Sequence, residues 1–274
     1  MKNIVVAGGT TGMGRGVAMH YLRAGGRVTV IGSDSGRGRA FLDEAAEIGA
    51  ADRAEFIRAD LISVAENRRV IKEIKARNDS LDGLVLTAIR HFHRREETVD
   101  GFESTFALYY VSRFLLSYGL TELLEKGGAP VIVNICGIGI TKGRVHWEDL
   151  TLGKRYGSVR AMLQGGRATD LLGVGYADHH PGGRTRYVLY HPGFTDSGTA
   201  TLKQPAKAFI KTLARFFARP VEKSIRPVIE LMDNPPDRPL IASDSGKPVS
   251  LSLSTLDADD ARRLYGLTEH LLRP

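Results

Sequence analysis

The stretch VVAGGTTGMGRGVA, residues 5–18, has the residue types and spacing to bind phosphate. Gly8, Gly12 and Gly14 fall as G-x-x-x-G-x-G between a strand-like NIVVAG and a helix-like GRGVAMHYLRAG. Glycines so placed allow a tight turn. They also let the backbone approach a pyrophosphate at the positive end of the helix that follows. Thr10, Thr11 and Met13 complete that loop.

A second polar patch follows the next strand-like run, RVTVIG. An acidic side chain at its end would hold ribose hydroxyls and repel a 2′-phosphate; Gly32 stands there instead. Ser33, Arg37 and Arg39 supply a hydroxyl and guanidinium groups, which suit a phosphate. The expected cofactor is therefore NADP(H) rather than NAD(H). Asp34 is the counter-signal, because it could turn inward.

Side chains able to move a proton are scattered. His91 and His93 follow a strand-like segment, where loops of such sheets face a ligand, or else they are exposed loop residues. Tyr109 and Tyr110 lie on an apolar helical run and read equally as core aromatics. Cys136 sits at a strand end with no evident base partner. His146 and Trp147 read as pocket wall. His179, His180 and His191 have no metal-ligand spacing, so no metal is expected.

The elements that must position these groups alternate. NIVVAG, RVTVIG, AEFIRAD, LDGLVLTA, PVIVNICG and TRYVLYHPG read as buried parallel strands, with amphipathic helical patterns between them. That order implies an α/β doubly wound parallel sheet, a Rossmann fold, in a single domain over residues 1–274. Residues 199–223 interrupt the alternation. There Phe209, Ile210, Leu213, Phe216 and Phe217 recur at helical spacing, with lysines on another face. The segment reads as a packed amphipathic helix, a substrate lid or a membrane-surface contact. The tail reads as a final helix capped by Thr255 or Asp257.

Composition narrows the class. Of 274 residues, 42% are hydrophobic and 25% charged, as in ordinary globular chains. The net charge of +7 is dispersed rather than clustered, which argues against nucleic-acid binding and suits an anionic ligand. One cysteine excludes an internal disulfide and fits a reducing, cytoplasmic setting. No run of about 20 apolar residues is present, so no membrane insertion is expected.

The glycine spacing resembles that of the short-chain dehydrogenase/reductase family, T-G-x-x-x-G-x-G, with Ala7 in place of the threonine. RADL at 58–61 is similar to the family's adenine-side motif, which implies cofactor roles for Asp60 and Leu61. LVLTAI at 84–89 occupies the place of N-N-A-G and keeps Ala88. HPGFTDS at 191–197 resembles P-G-x-x-x-T, implying Pro192, Gly193, Thr195 and Ser197. GRVHWEDL and the C-terminal DADDARRLYGLTEHLL look most like the retinol-dehydrogenase branch. The resemblance also implies a homodimer or homotetramer pairing through two long helices, here roughly 102–126 and 158–178.

Against this family the proton-transfer residues are missing. Its members use an Asn, a Ser, a Tyr and a Lys. Alignment of FALYYVSRFLL places Tyr109 in the Asn position; VIVNICGIG places Gly137 in the Ser position; AMLQGGRAT places Met162 and Gly166 in the Tyr and Lys positions. A shift of six residues would substitute Tyr156 and Arg160, but the apolar pattern of Ala161, Ala168, Leu171, Leu172 and Tyr176 fits Met162. Tyr156 then lies at the pocket rim. Tyr109, Met162, Tyr156 and His91 are thus the catalytic-position or rim candidates. Two readings follow. One is a reductase, suited to biosynthetic metabolism, whose bulky hydrophobic substrate, an iminium or enone, needs no tyrosine. The other is a non-redox enzyme (cyclase, dehydratase or isomerase) or an NADP-binding regulatory pseudoenzyme.

Overall fold

The computed structural model describes residues 1–193 and 221–273. The first half alternates strictly: β1 (Asn3–Ala7), α1 (Gly12–Arg23), β2 (Arg27–Gly32), α2 (Ser35–Glu47), β3 (Ala54–Arg58), α3 (Val64–Arg77) and β4 (Gly83–Leu86). A composite helix, α4, then runs through Ser104–Phe106, a π turn at Ala107–Val111, and Ser112–Gly119. The order continues with β5 (Val131–Ile135), α5 (Ser158–His179), β6 (Arg186–His191), α6 (Val221–Asp233), β7 (Leu240–Asp244), β8 (Lys247–Pro248) and α7 (Ala258–Leu271).

The strands order as β3-β2-β1-β4-β5-β6-β7-β8, parallel except for the antiparallel β7–β8 pair. This is the doubly wound sheet expected from the alternation. The central strands β1, β2, β4, β5 and β6 are buried on both faces, which is why they read as near-continuous apolar runs. One core lies under α1, α2 and α6, and a larger one under α3, α4, α5 and α7. The edge hairpin β7–β8 was not foreseen, because LIASD is short and ends in polar residues. Much of the 199–223 segment lies outside the described residues; Val221 to Lys223 begin α6.

Helix α4 owes its form to a ladder of rings four residues apart. Phe102, Phe106, Tyr110, Phe114 and Tyr118 stack in sequence, with centroids 6.4, 5.1, 6.0 and 4.6 Å apart. Helix α5 buries Ala161, Gln164, Ala168, Leu171, Leu172 and Tyr176 along one stripe. Asp257 caps α7 by accepting from the Asp260 amide at 2.8 Å. Helix α7 then packs on the two long helices: Tyr265 lies 5.5 Å from Phe114, 5.2 Å from Tyr118 and 3.8 Å from His179, and Tyr110 Oη meets Thr268 Oγ1 at 2.7 Å. The face expected to pair with a second subunit is therefore covered in part by the chain's own last helix.

A buried ion pair pins α5 to its surroundings. Arg167 donates to Asp170 Oδ2 at 3.0 Å, to the Thr255 carbonyl at 3.2 Å and to the Ile140 carbonyl at 3.3 Å. Burial pushes the Asp170 carboxyl up to about 7, against the downward pull of Arg167 and the Cys136 thiol. Arg167→Met strands that carboxyl without its cation and should cost about 3–5 kcal/mol in urea unfolding. A folded-state value above the unfolded one means stability falls as pH rises through that window. The variant's loss should therefore be larger at about pH 8 than at about pH 5.

Candidate active site

The glycine loop after β1 is pressed against the end of β4. Gly8 has φ +84°, and a Cβ there would lie 2.6 Å from the Ala88 nitrogen. A Cβ on Gly14 would lie 2.4 Å from the Gly8 oxygen and 2.5 Å from Thr87 Oγ1. Side chains are thus excluded by backbone as well as by conformation. The N-terminus of α1 is left open: Thr11, at the cap, makes no side-chain hydrogen bond, and the first turn holds no acid. Helices α2, α3 and α7 are capped by Asp34, Ser63 and Asp257. The free amides and positive dipole end of α1 suit an anion.

At the end of β2, Asp34 is not turned inward. Its Oδ1 accepts from the Arg37 amide at 2.9 Å and so caps α2. That bond holds the carboxyl below its ordinary range. Arg37 is largely exposed, with Nε 3.9 Å from Asp34 Oδ2. The β2–β3 register sets Arg58 beside Gly32, and its Nε donates to the Ser33 carbonyl at 3.4 Å. Ser33, Arg37 and Arg58 thus converge on one exposed patch. Arg58 was overlooked in the sequence; its signal is its place directly before Ala59-Asp60.

Asp60 Oδ2 sits 3.7 Å from the Arg90 guanidinium, and Leu61 beside it is buried. Arg90 in turn covers the Phe92 ring at 4.5 Å. His91 and His93 are exposed and meet edge to face at 4.4 Å. Tyr109 is buried on the π turn, and its hydroxyl donates to the Arg90 carbonyl at 3.3 Å. Burial pushes that phenol up to about 12.

Met162 and Gly166 lie one turn apart on α5. Met162 is exposed, and a Cβ on Gly166 would meet nothing within 4 Å. Gly137, after β5, packs near Ile140. Tyr156 precedes α5, its hydroxyl 3.3 Å from the Phe92 carbonyl and 3.0 Å from that of Arg94. Arg160 bonds instead to the Arg155 carbonyl at 3.1 Å. Tyr109 and Tyr156 thus both bond to the backbone of the loop that carries His91, Tyr109 from the buried side and Tyr156 at residues 92 and 94. One turn below Gly166 lies Asp170, beside Cys136, whose thiol burial pushes up. A thiol held protonated is a poor nucleophile.

At the end of β6, His191 Nδ1 lies 2.9 Å from Asp244 Oδ1 on β7. Ser245 Oγ donates to the same oxygen at 3.0 Å. Pro192 is buried and Gly193 has φ +75°. Thr195 and Ser197 lie outside the described residues. Among the described residues no cluster of His, Cys, Asp and Glu suits a metal ion.

Known proteins share this architecture. The family model for short chain dehydrogenases matches residues 2–149. A daunorubicin C-13 ketoreductase from Streptomyces sp. (strain C5) is 30% identical over 193 residues, which cover 70% of this chain and 65% of the relative. Human polyprenol dehydrogenase is 31% identical over 126 residues, 46% of this chain and 38% of that one. Mouse retinol dehydrogenase 12 is 28% identical over 193 residues, 70% and 61% respectively. The chain spans less than two thirds of each of these relatives. Among solved structures, an uncharacterized protein from Mycobacterium paratuberculosis superposes with TM-score 0.70 at 23% identity, covering 99% of this chain and 93% of that one. NADPH-bound carbonyl reductase from chicken fatty liver does so at 0.67 and 16% identity, covering 91% and 99%. Both share its fold. With the family model matched across more than half its length, the chain belongs to the short-chain dehydrogenase family.

Proposed function

We propose that the chain is an NADPH-dependent reductase whose bulky apolar substrate, an iminium or an enone, is reduced without the family's tyrosine. The observation that carries this reading is the contrast between the dinucleotide end of the sheet and the helix α5 positions that the family uses for proton transfer. The glycine cradle, the open α1 terminus and the Ser33–Arg37–Arg58 patch fit a phosphorylated dinucleotide. The row Met162–Gly166 offers no titratable group.

Gly8, Thr10, Thr11, Gly12, Met13 and Gly14 would hold the pyrophosphate. Ser33, Arg37 and Arg58 would meet the 2′-phosphate, and Asp60, Leu61 and Ala88 the adenine side. Pro192 and Gly193 complete the set, with Thr195 and Ser197 beyond the described residues. NADPH supplies a hydride when bound. The chain positions the acceptor carbon, which supplies most of the rate when the substrate is already charged. Relatives named for daunorubicin, polyprenol and retinol support a bulky substrate; the iminium or enone rests on the empty tyrosine and lysine positions.

NADPH should bind more tightly than NADH. Arg37→Ala or Arg58→Ala should each weaken NADPH by roughly ten- to a hundred-fold, the worth of a charge-assisted contact at about 1.5–3 kcal/mol. Fluorescence titration of both reduced cofactors measures this; equal affinities refute the phosphate patch. A panel of iminium, enone and plain ketone substrates should show ketones slower by about 10²–10⁴, the worth of a positioned acid. Brisk ketone turnover would place the acid elsewhere and undo the Met162 assignment. Finally, Met162→Tyr/Gly166→Lys should bind NADPH at least as well as the parent yet lose iminium and enone turnover by crowding. Adding Gly137→Ser is the smallest set expected to revive ketone reduction. A double variant that keeps the parent rates shows that the substrate does not sit there.

A further inference from the structure

An iminium needs no proton, but an enone that accepts hydride leaves an enolate that must be protonated. Resting on the reductase reading, we propose that His191, oriented by Asp244, is the proton donor of this site.

The placement follows from strand register. Ile135 pairs with Tyr190, the Cys136 amide donates to the Tyr190 carbonyl at 2.9 Å, and His191 pairs with Asp244. Cys136, His191 and Asp244 therefore share one rung at the carboxyl rim of β5, β6 and β7. Alternation along β6 puts His191 on the same face as Tyr187 and Leu189, which pack into the α4–α5 core. This rim, outside the strand ends, is where open α/β sheets bind ligands.

The local geometry is that of an oriented acid–base group. With a carboxylate as its partner, Nδ1–H donates to Asp244 Oδ1 at 2.9 Å, so Nε2 is the nitrogen left for exchange. Asp244 is itself held: the Ser245 hydroxyl donates to that oxygen at 3.0 Å, and the Ser245 amide donates to the His191 carbonyl at 2.7 Å. Ser245 adopts φ +53°, a conformation unfavourable to a side-chain-bearing residue and kept at this corner. The ring is about one quarter exposed, open enough to meet a ligand and to recover a proton from water. The neighbouring Cys136 thiol is held neutral by burial. Asp170 and Arg167 on α5, beyond Cys136, neutralise one another when both are charged.

The step balances. When bound, the reduced nicotinamide would supply a hydride, with its electron pair, to the β-carbon of the enone, where a C–H bond would form. The C=C pair shifts toward the carbonyl, and charge develops on oxygen. The Nε2–H bond of the imidazolium breaks, and its proton goes to the enolate. The ring is left neutral, with Nδ1–H still on Asp244, and water returns the proton.

Two probes separate this role from the reading beneath it: 2-cyclohexenone, which needs a proton, and an N-methyl dihydroisoquinolinium, which does not. In His191→Gln the enone-to-iminium rate ratio should fall roughly 100-fold, the scale of general acid catalysis. Asp244→Asn should lower the ratio in the same direction. In the free full-length protein, long-range 1H–15N spectra should show His191 Nδ1 protonated, and 2-naphthol, an enol mimic, should shift Nε2. A ratio that stays constant, or an Nε2 signal that ignores 2-naphthol, overturns the donor role. So does a parent that reduces the iminium but not the enone. A parent that reduces neither probe refutes the reductase reading, and the donor role falls with it.

Discussion

A cation without an anion holds the centre of the molecule together. Arg113 of α4 is buried, and among the described residues no carboxylate pairs with it. Its guanidinium donates to Asn134 Oδ1 at 2.5 Å, the Ile135 carbonyl at 2.6 Å and the Ala88 carbonyl at 3.1 Å, while Nε finds no partner. Burial lowers its pKa, yet an arginine stays charged in a protein. The fork geometry of the group explains its use: it reaches the ends of β4 and β5 and a side chain at once. Asn134 passes the network on, donating to the Tyr187 hydroxyl of β6 at 2.8 Å. One side chain of α4 thus links the ends of β4 and β5 and, through Asn134, the Tyr187 side chain of β6.

The two sides of the site are constrained by different physics. On the dinucleotide side, backbone meets backbone. The loop after β1, the end of β4 and the start of α1 approach so closely that no side chain fits between them. On the substrate side the constraint is inverted. Gly166 faces open space and Met162 stands in solvent, so shape there is set by what is missing. The polar groups around that opening are bound nearby: Arg167 pairs with Asp170, Arg160 donates to the Arg155 carbonyl and Tyr156 to the loop after β4.

What could be read from the sequence depended on the distance over which each feature is determined. The glycine spacing, the buried strands and the Asp257 cap are local patterns, and the structure places them as the residues imply. Asp34 was ambiguous because its alternatives, an inward turn or a cap on the next helix, use the same neighbouring residues. Arg58 joins its patch only through the β2–β3 register. The His191–Asp244 pair needs β6 and β7 side by side, and β7 itself was hidden by its short, polar-ended sequence. Tyr156 and Arg160 have a suggestive spacing that the helix start at Ser158 dissolves. The π turn at Ala107–Val111 leaves no mark in composition, since it adds one residue to a turn without changing the aromatic ladder.

The seat of α7 carries a further consequence. Its Ala261, Leu264, Tyr265 and Thr268 lie on aromatic surface that α4 and α5 present together. A helix tethered in cis meets its groove at a fixed effective concentration, so the burial costs no association entropy and does not depend on dilution. The chain therefore covers this part of the face at any concentration, and the loop that follows β8 is the covalent tether that makes it so.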